Sequence, residues 1–187
     1  MPRLFAGIEI PDEVRAELAR LRQPLPGAKW IDAADFHITL RFAGDIEKPV
    51  ARELAAGLAE IELDLFELRL AGLGAFGGND PRVVYAGVEK SDVLAALARA
   101  CERAARHAGL PPETRAYKPH VTLARLRGTP PEAVARVLGR LGAFRSSAFL
   151  VSRFVLFSAK PNVGGGPYVA EETYQLIGGY DPAYADE

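Results

Sequence analysis

The sequence predicts an α+β fold built as two related lobes, and three observations carry that expectation. A tetrapeptide is repeated: His37-Ile38-Thr39-Leu40 returns as His120-Val121-Thr122-Leu123, nearly half the chain away. Each copy alternates polar and apolar residues with period two, the mark of a half-buried strand. Strand–helix–strand patterns recur around both copies, so a pseudo-twofold duplication accounts for the two repeats together. No flexible linker separates them, and residues 1–187 are expected to form a single bilobal domain.

The elements follow in order. Arg3 to Ile10 is a strand-like run ended by Pro11-Asp12, and Asp12 suits the positive end of the helix carrying Val14, Leu18 and Leu21. Pro24, Pro26 and Gly27 break that helix before an extended Lys29-Trp30-Ile31. Phe36 to Phe42 is the first motif strand, closed by Gly44-Asp45, and Pro49 to Ile61 repeats at helical spacing. Leu63 to Leu73 alternates strongly enough to predict one long strand with an irregularity. A glycine-rich link over Gly72 to Asp80 leads into a β-branched strand, Arg82 to Val88. Ser91-Asp92 caps a helix that runs to about His107 and stops at Gly109 and Pro111. Pro119 to Leu126 is the second motif strand, and Pro131 to Leu141 is another helix. A strand over Ala148 to Ser158, a turn at Gly164-Gly165-Gly166 and a strand over Tyr168 to Ile177 complete the pattern.

Composition narrows the class. The chain is 49% hydrophobic and 25% charged, an ordinary globular balance. Its formal net charge of −1 provides no global field for holding long nucleic acid, so any such contact must be local. A lone cysteine, Cys101, excludes an internal disulfide and fits a reducing, cytoplasmic compartment. No apolar run reaches membrane-spanning length, and the N-terminus opens directly on a strand pattern without the apolar stretch of a signal peptide. A monomer is the default expectation.

The motif spacing carries chemistry. Residues i and i+2 of a strand point the same way, so each copy places an imidazole beside a hydroxyl. Ile38 and Leu40, or Val121 and Leu123, then lie on the buried face. Two such pairs facing one cleft supply two proton-transfer groups and two hydrogen-bond donors, a set suited to acid–base chemistry on a phosphate. Histidine gives or takes a proton near neutrality because its ordinary pKa is about 6.5. Thr39 and Thr122 can bond non-bridging oxygens and stabilise charge there. The two copies are nearly equivalent, so the residues alone do not say which histidine is the acid.

With these residues in view, the chain resembles the two-histidine phosphoesterases, and within them the RNA 2′,3′-cyclic phosphodiesterases formerly described as 2′-5′ RNA ligases. Arg3 to Ile8, Trp30, Phe36 to Gly44, Pro81 to Val88, Tyr117 to Arg125, Phe154 to Ser158 and Gly166-Pro167-Tyr168 carry the resemblance. Ala43, usually bulkier, and Tyr117-Lys118, often Phe-x, depart from it. The resemblance implies antiparallel sheet with outer helices around a central cleft, and hydrolysis of RNA or nucleotide 2′,3′-cyclic phosphate ends to a 2′-phosphate. It implies His37 as proton donor to the leaving 3′ oxygen and His120 as proton acceptor from water. The substrates expected are RNA 3′ ends or small nucleotides bearing the cyclic phosphate.

Four further residues are candidates for substrate binding. Arg125 matches a phosphate-contacting arginine of the family, although strict alternation puts it opposite His120 unless the strand bends near Ala124. Arg41 shares a face with His37 and Thr39 by alternation and is the rival cation. Phe36 and Tyr117 flank the histidines and can stack on a base. Phe36 shares the face of Ile38 and Leu40, which argues for core, so Tyr117 is the better candidate. Neither a metal nor a cofactor is expected, because the two histidines lack an acidic or cysteine partner at zinc-ligand spacing. His107, near a helix end, suits the dipole there. The competing readings are 2′-5′ RNA ligation by the same groups run backward, and an RNA-end or nucleotide-binding module with a silent site.

Overall fold

A computed structural model describes residues 1–178. In chain order its elements are β1 (Arg3–Glu9), α1 (Asp12–Ala19), β2 (Ala28–Trp30), β3 (His37–Asp45), α2 (Lys48–Ala59), β4 (Phe66–Leu68), β5 (Leu70–Phe76) and β6 (Val83–Val88). Then come α3 (Asp92–His107), β7 (His120–Leu126), α4 (Pro131–Leu141), β8 (Phe149–Val151), β9 (Arg153–Ala159) and β10 (Val169–Gln175). The fold is α+β, as expected, and its strands pair antiparallel.

One eight-stranded sheet organises the molecule, in the order β10-β9-β1-β3-β7-β6-β5, with β2 added alongside β7. The two motif strands are neighbours at its centre, joined at the pair Ile38–Val121. On either side of that pair lie β10-β9-β1-β3 and β2-β7-β6-β5, parts of one continuous sheet. Helices α1, α2, α3 and α4 contribute Leu18, Leu58, Leu97 and Val137 to a core that also takes Ile38, Leu40, Val121 and Leu123. A second, small cluster of Phe5, Val155 and Phe157, with Tyr168 against it, covers the other face of the first half. β1 is therefore buried on both faces, which is why it reads as the nearly unbroken apolar run Leu-Phe-Ala-Gly-Ile.

Two predicted strands are each divided. Leu63 to Leu73 splits at Arg69 into β4 and β5, and Ala148 to Ser158 splits at Ser152 into β8 and β9. β4 and β8 leave the main sheet to pair with each other, Phe66 opposite Val151 and Leu68 opposite Phe149. The alternation keeps its phase through Arg69, with Leu68 and Leu70 both buried, so periodicity alone cannot show the chain changing partners. The glycine-rich link also begins later than expected, because β5 runs on to Phe76. Gly74 is required there: a Cβ would lie 2.4 Å from the Tyr85 hydroxyl, so its absence lets the Tyr85 ring lie across the strand. The cap on α3 is as expected, with Ser91 Oγ accepting from the Leu94 N–H at 3.1 Å.

No helix among the described residues is long and apolar enough to cross a membrane. The central pairing gives a stability test. Ile38 is fully buried, so Ile38→Ala is expected to lower the unfolding free energy by about 2–5 kcal/mol in urea titration. Leu150→Ala, at a side chain 59% exposed, should change it by no more than about 0.5 kcal/mol.

Candidate active site

The Ile38–Val121 pair fixes what the two motifs can do together. Because β3 and β7 run antiparallel, stepping outward from it sets His37 towards Thr122 and Thr39 towards His120. All four polar side chains are half-buried on the face away from the helices, while Ile38, Leu40, Val121 and Leu123 are buried beneath. The sequence-predicted quartet is thus brought together on one surface.

Each imidazole is oriented in the same way. His37 Nδ1 lies 2.8 Å from the Asp35 carbonyl oxygen, and His120 Nδ1 lies 2.8 Å from that of Lys118. A carbonyl only accepts, so Nδ1 carries the hydrogen in both rings. That leaves Nε2 as the working nitrogen of each, able to accept a proton when neutral or donate one when charged. Aromatic walls hold the rings. His37 packs against Phe5 and edge-on to Tyr168, at centroid separations of 4.8 and 4.9 Å. His120 packs against Phe76 and Tyr85 at 5.0 and 5.3 Å.

Both histidines are held below the ordinary pKa. Desolvation is the main cause for each, because burial penalises the charged ring. The carbonyls at Nδ1 act in the opposite direction and offset part of it. Among like charges, Arg125 and His120 lower His37 further, and Lys118 lowers His120. Burial also pushes the Cys101 thiol up to about 12, which leaves it inert as a nucleophile. Among the described residues no three His, Cys, Asp or Glu side chains converge to hold a metal ion.

A β-bulge in each motif strand decides where the arginines go. On β7, Thr122 is opposite Tyr85 and Ala124 is opposite Val84, so Leu123 is an extra residue. Two consecutive residues, Leu123 and Ala124, are then buried, and Arg125 emerges exposed on the histidine face. This is the bend that the second strand needed for Arg125 to reach the site. On β3 the same thing happens at the equivalent residue: Thr39 is opposite Gly7 and Arg41 opposite Ala6, leaving Leu40 extra.

The β3 bulge overturns the expectation for Arg41. Alternation resumes out of phase, so Arg41 turns towards the helices, where its guanidinium engages Glu102 of α3 and the carbonyls of Phe42 and Pro111. Phe42 takes its place on the histidine face, 45% exposed, with the Arg3 guanidinium 5.1 Å from its ring centroid. Phe36 is corrected too. It is only 5% exposed and lines a groove with Leu18, Trp30 and Leu123, on the side of the buried motif residues. Tyr117 is close to the site, but its hydroxyl is already engaged, donating to the Thr39 carbonyl at 2.8 Å. Burial raises its pKa and keeps that donor protonated. It ties the loop before His120 to the strand of the other motif.

Sequence reasoning missed Phe5, Tyr168, Phe76, Tyr85 and Lys118 as the surroundings of the histidines. Alternation within their own strands is a usable signal for Phe5 and Tyr85, but register between strands is needed to set them beside a histidine.

The comparisons agree with this architecture. A family model described as the 2′-5′ RNA ligase superfamily matches residues 10–161. A protein of Aeropyrum pernix named RNA 2′,3′-cyclic phosphodiesterase is 42% identical over 117 residues, 59% of this chain and 66% of that one. One of the same name from Bacillus subtilis is 35% identical over 130 residues, 66% of this chain and 71% of its own. Among solved structures, E. coli LigT in apo form superposes with a TM-score of 0.77 at 25% identity, covering 94% of this chain and 98% of LigT. The chain belongs to the 2′-5′ RNA ligase superfamily.

The electrostatics yield a direct test. In an NMR titration, His37 and His120 are expected to titrate below the usual value of about 6.5. Arg125→Gln removes a neighbouring positive charge and should raise the pKa of His37, with less effect on His120. An unmoved His37 would place Arg125 away from it.

Proposed function

We infer that the protein is an RNA 2′,3′-cyclic phosphodiesterase, opening a cyclic phosphate at an RNA end or on a nucleotide to leave a 2′-phosphate. The observation that carries this reading is the antiparallel juxtaposition of the two motifs, with both Nε2 atoms and both threonine hydroxyls on one face. The names of the relatives support the same chemistry.

In this mechanism His120 Nε2 takes a proton from water as the oxygen attacks phosphorus. The P–O3′ bond breaks, and His37 Nε2 gives its proton to the departing 3′ oxygen. Thr39 and Thr122 donate to the non-bridging oxygens, and Arg125 balances charge beside them. The five-membered ring is strained, so the bond can be opened by acid–base groups without a metal. Each proton-transfer role contributes about 10²–10⁴-fold. The assignment of His37 as acid and His120 as base follows the family resemblance. We further propose a monomeric, single bilobal domain acting in the cytoplasm, consistent with a single, buried, unreactive cysteine.

The test is incubation with a short RNA ending in 2′,3′-cyclic phosphate, in the presence of EDTA, with identification of the product end. A 2′-phosphate supports the reading. No turnover favours a silent binding module, and turnover abolished only by EDTA points to a metal enzyme. His37→Ala and His120→Ala are each expected to lose at least about 10²-fold in kcat while retaining the wild-type circular dichroism spectrum. Near-normal turnover by either variant sinks the mechanism.

The pH profile follows with a definite sign. One histidine must be protonated and the other neutral, so kcat/KM should be bell-shaped. Lowered pKa values mean the acid loses its proton at lower pH, so the alkaline limb should begin below about 6.5 in the free enzyme. A bound phosphate anion favours the charged ring, so the limb for kcat should lie at higher pH than that for kcat/KM.

A further inference from the structure

Beside the quartet, the sheet places uncompensated positive charge in a row. Lys29 on β2 is directly opposite Arg125 on β7, and Arg125 is directly opposite Val83 on β6. Val83 in turn pairs with Phe76 on β5. Residues paired across antiparallel strands share a face, so this row lies on the histidine side. At its far end the Lys118 ammonium is held 5.3 Å from the Phe76 ring centroid and 5.4 Å from that of Tyr85. Three strand spacings separate the Lys29 and Phe76 backbones, about 14 Å.

Like charges directly opposite one another on a sheet are destabilising. Elsewhere on this side of the sheet the chain neutralises its arginines: Arg3 by Asp45 and Arg153 by Glu9. Among the described residues neither Lys29, Arg125 nor Lys118 has a carboxylate at ion-pair distance. Both Lys29 and Arg125 are exposed. In a chain of net charge −1 this arrangement is local, and Arg125 lies on the same strand and face as Thr122, near enough for its charge to act on His37.

We propose that Lys29, with Arg125, forms a second phosphate subsite that binds the internucleotide phosphate preceding the cyclic one. This rests on the function inferred above and sharpens its substrate class: an RNA oligonucleotide end is preferred over a mononucleotide cyclic phosphate. Arg125 is shared between the reacting phosphate and its neighbour. Lys29 is a specificity residue that touches only the second phosphate. Lys118, at the other end of the row, extends the same attraction.

The test compares kcat/KM for a trinucleotide ending in 2′,3′-cyclic phosphate with that for the mononucleotide 2′,3′-cyclic phosphate. Lys29→Gln is expected to lower the oligonucleotide-to-mononucleotide ratio about tenfold. Binding of the trinucleotide ending in 2′-phosphate, followed by fluorescence anisotropy, should become less salt-dependent, the slope of log K against log salt shrinking by about 0.7 for one lost phosphate contact. Arg103→Gln, at an exposed position on α3, controls for net charge and should move neither quantity. A wild type active on both substrates, whose ratio and salt slope survive Lys29→Gln, overturns this proposal alone. A wild type inert on both overturns the parent function instead.

Discussion

The pairing of Ile38 with Val121 is the contact on which the site depends, because it is where the two copies of the motif meet. Strand register is discrete: a slip of one residue would turn every histidine and threonine of one copy into the core and bring its leucines to the surface. Burial of the two β-branched side chains on the helix side opposes that slip through the hydrophobic cost of exposing them. The same core that stabilises the fold therefore holds the two histidines and two threonines in phase. Packing and chemistry are two faces of one pair of strands.

Within this frame the histidines are set by opposing influences. Burial and neighbouring cations disfavour the charged ring, while the carbonyl at each Nδ1 favours it. The balance lies on the neutral side in the free protein. It is responsive to the ligand, since a phosphate adds the negative charge that the cleft lacks. Tyr117 contributes a mechanical link: its hydroxyl bond to Thr39 and the Lys118 carbonyl one residue on connect the first motif to the imidazole of the second.

Much of this was legible in the sequence, and the boundary of legibility has a physical cause. The quartet could be read because it depends only on period-two alternation within four residues. Arg41 and Arg125 could not be placed in that way, because each follows a bulge that inverts the phase, and a bulge is a property of two strands in register. The division of Leu63 to Leu73 escaped for the converse reason: the chain changed partners without changing phase. Phe36 was placed correctly by the alternation that argued for core, and the substrate-binding role was the less well supported of its two readings. The aromatic walls come from β1, β5 and β6 and the β9–β10 connection, and no local pattern announces which histidine each will meet.

The paired bulges have one more consequence. They bring the fifth residue after each histidine to the surface, and there the two copies differ: Phe42 on one side, Arg125 on the other. A truly twofold site would accept a lopsided molecule in two reversed poses of equal energy, with nothing to distinguish one histidine's role from the other's. Lys29, Arg125 and Lys118 all belong to the β7 half. The positive charge beside the cleft thus lies in one direction from it. The two motif strands meet as antiparallel neighbours, while the surface chemistry around them gives the groove a polarity, a head and a tail.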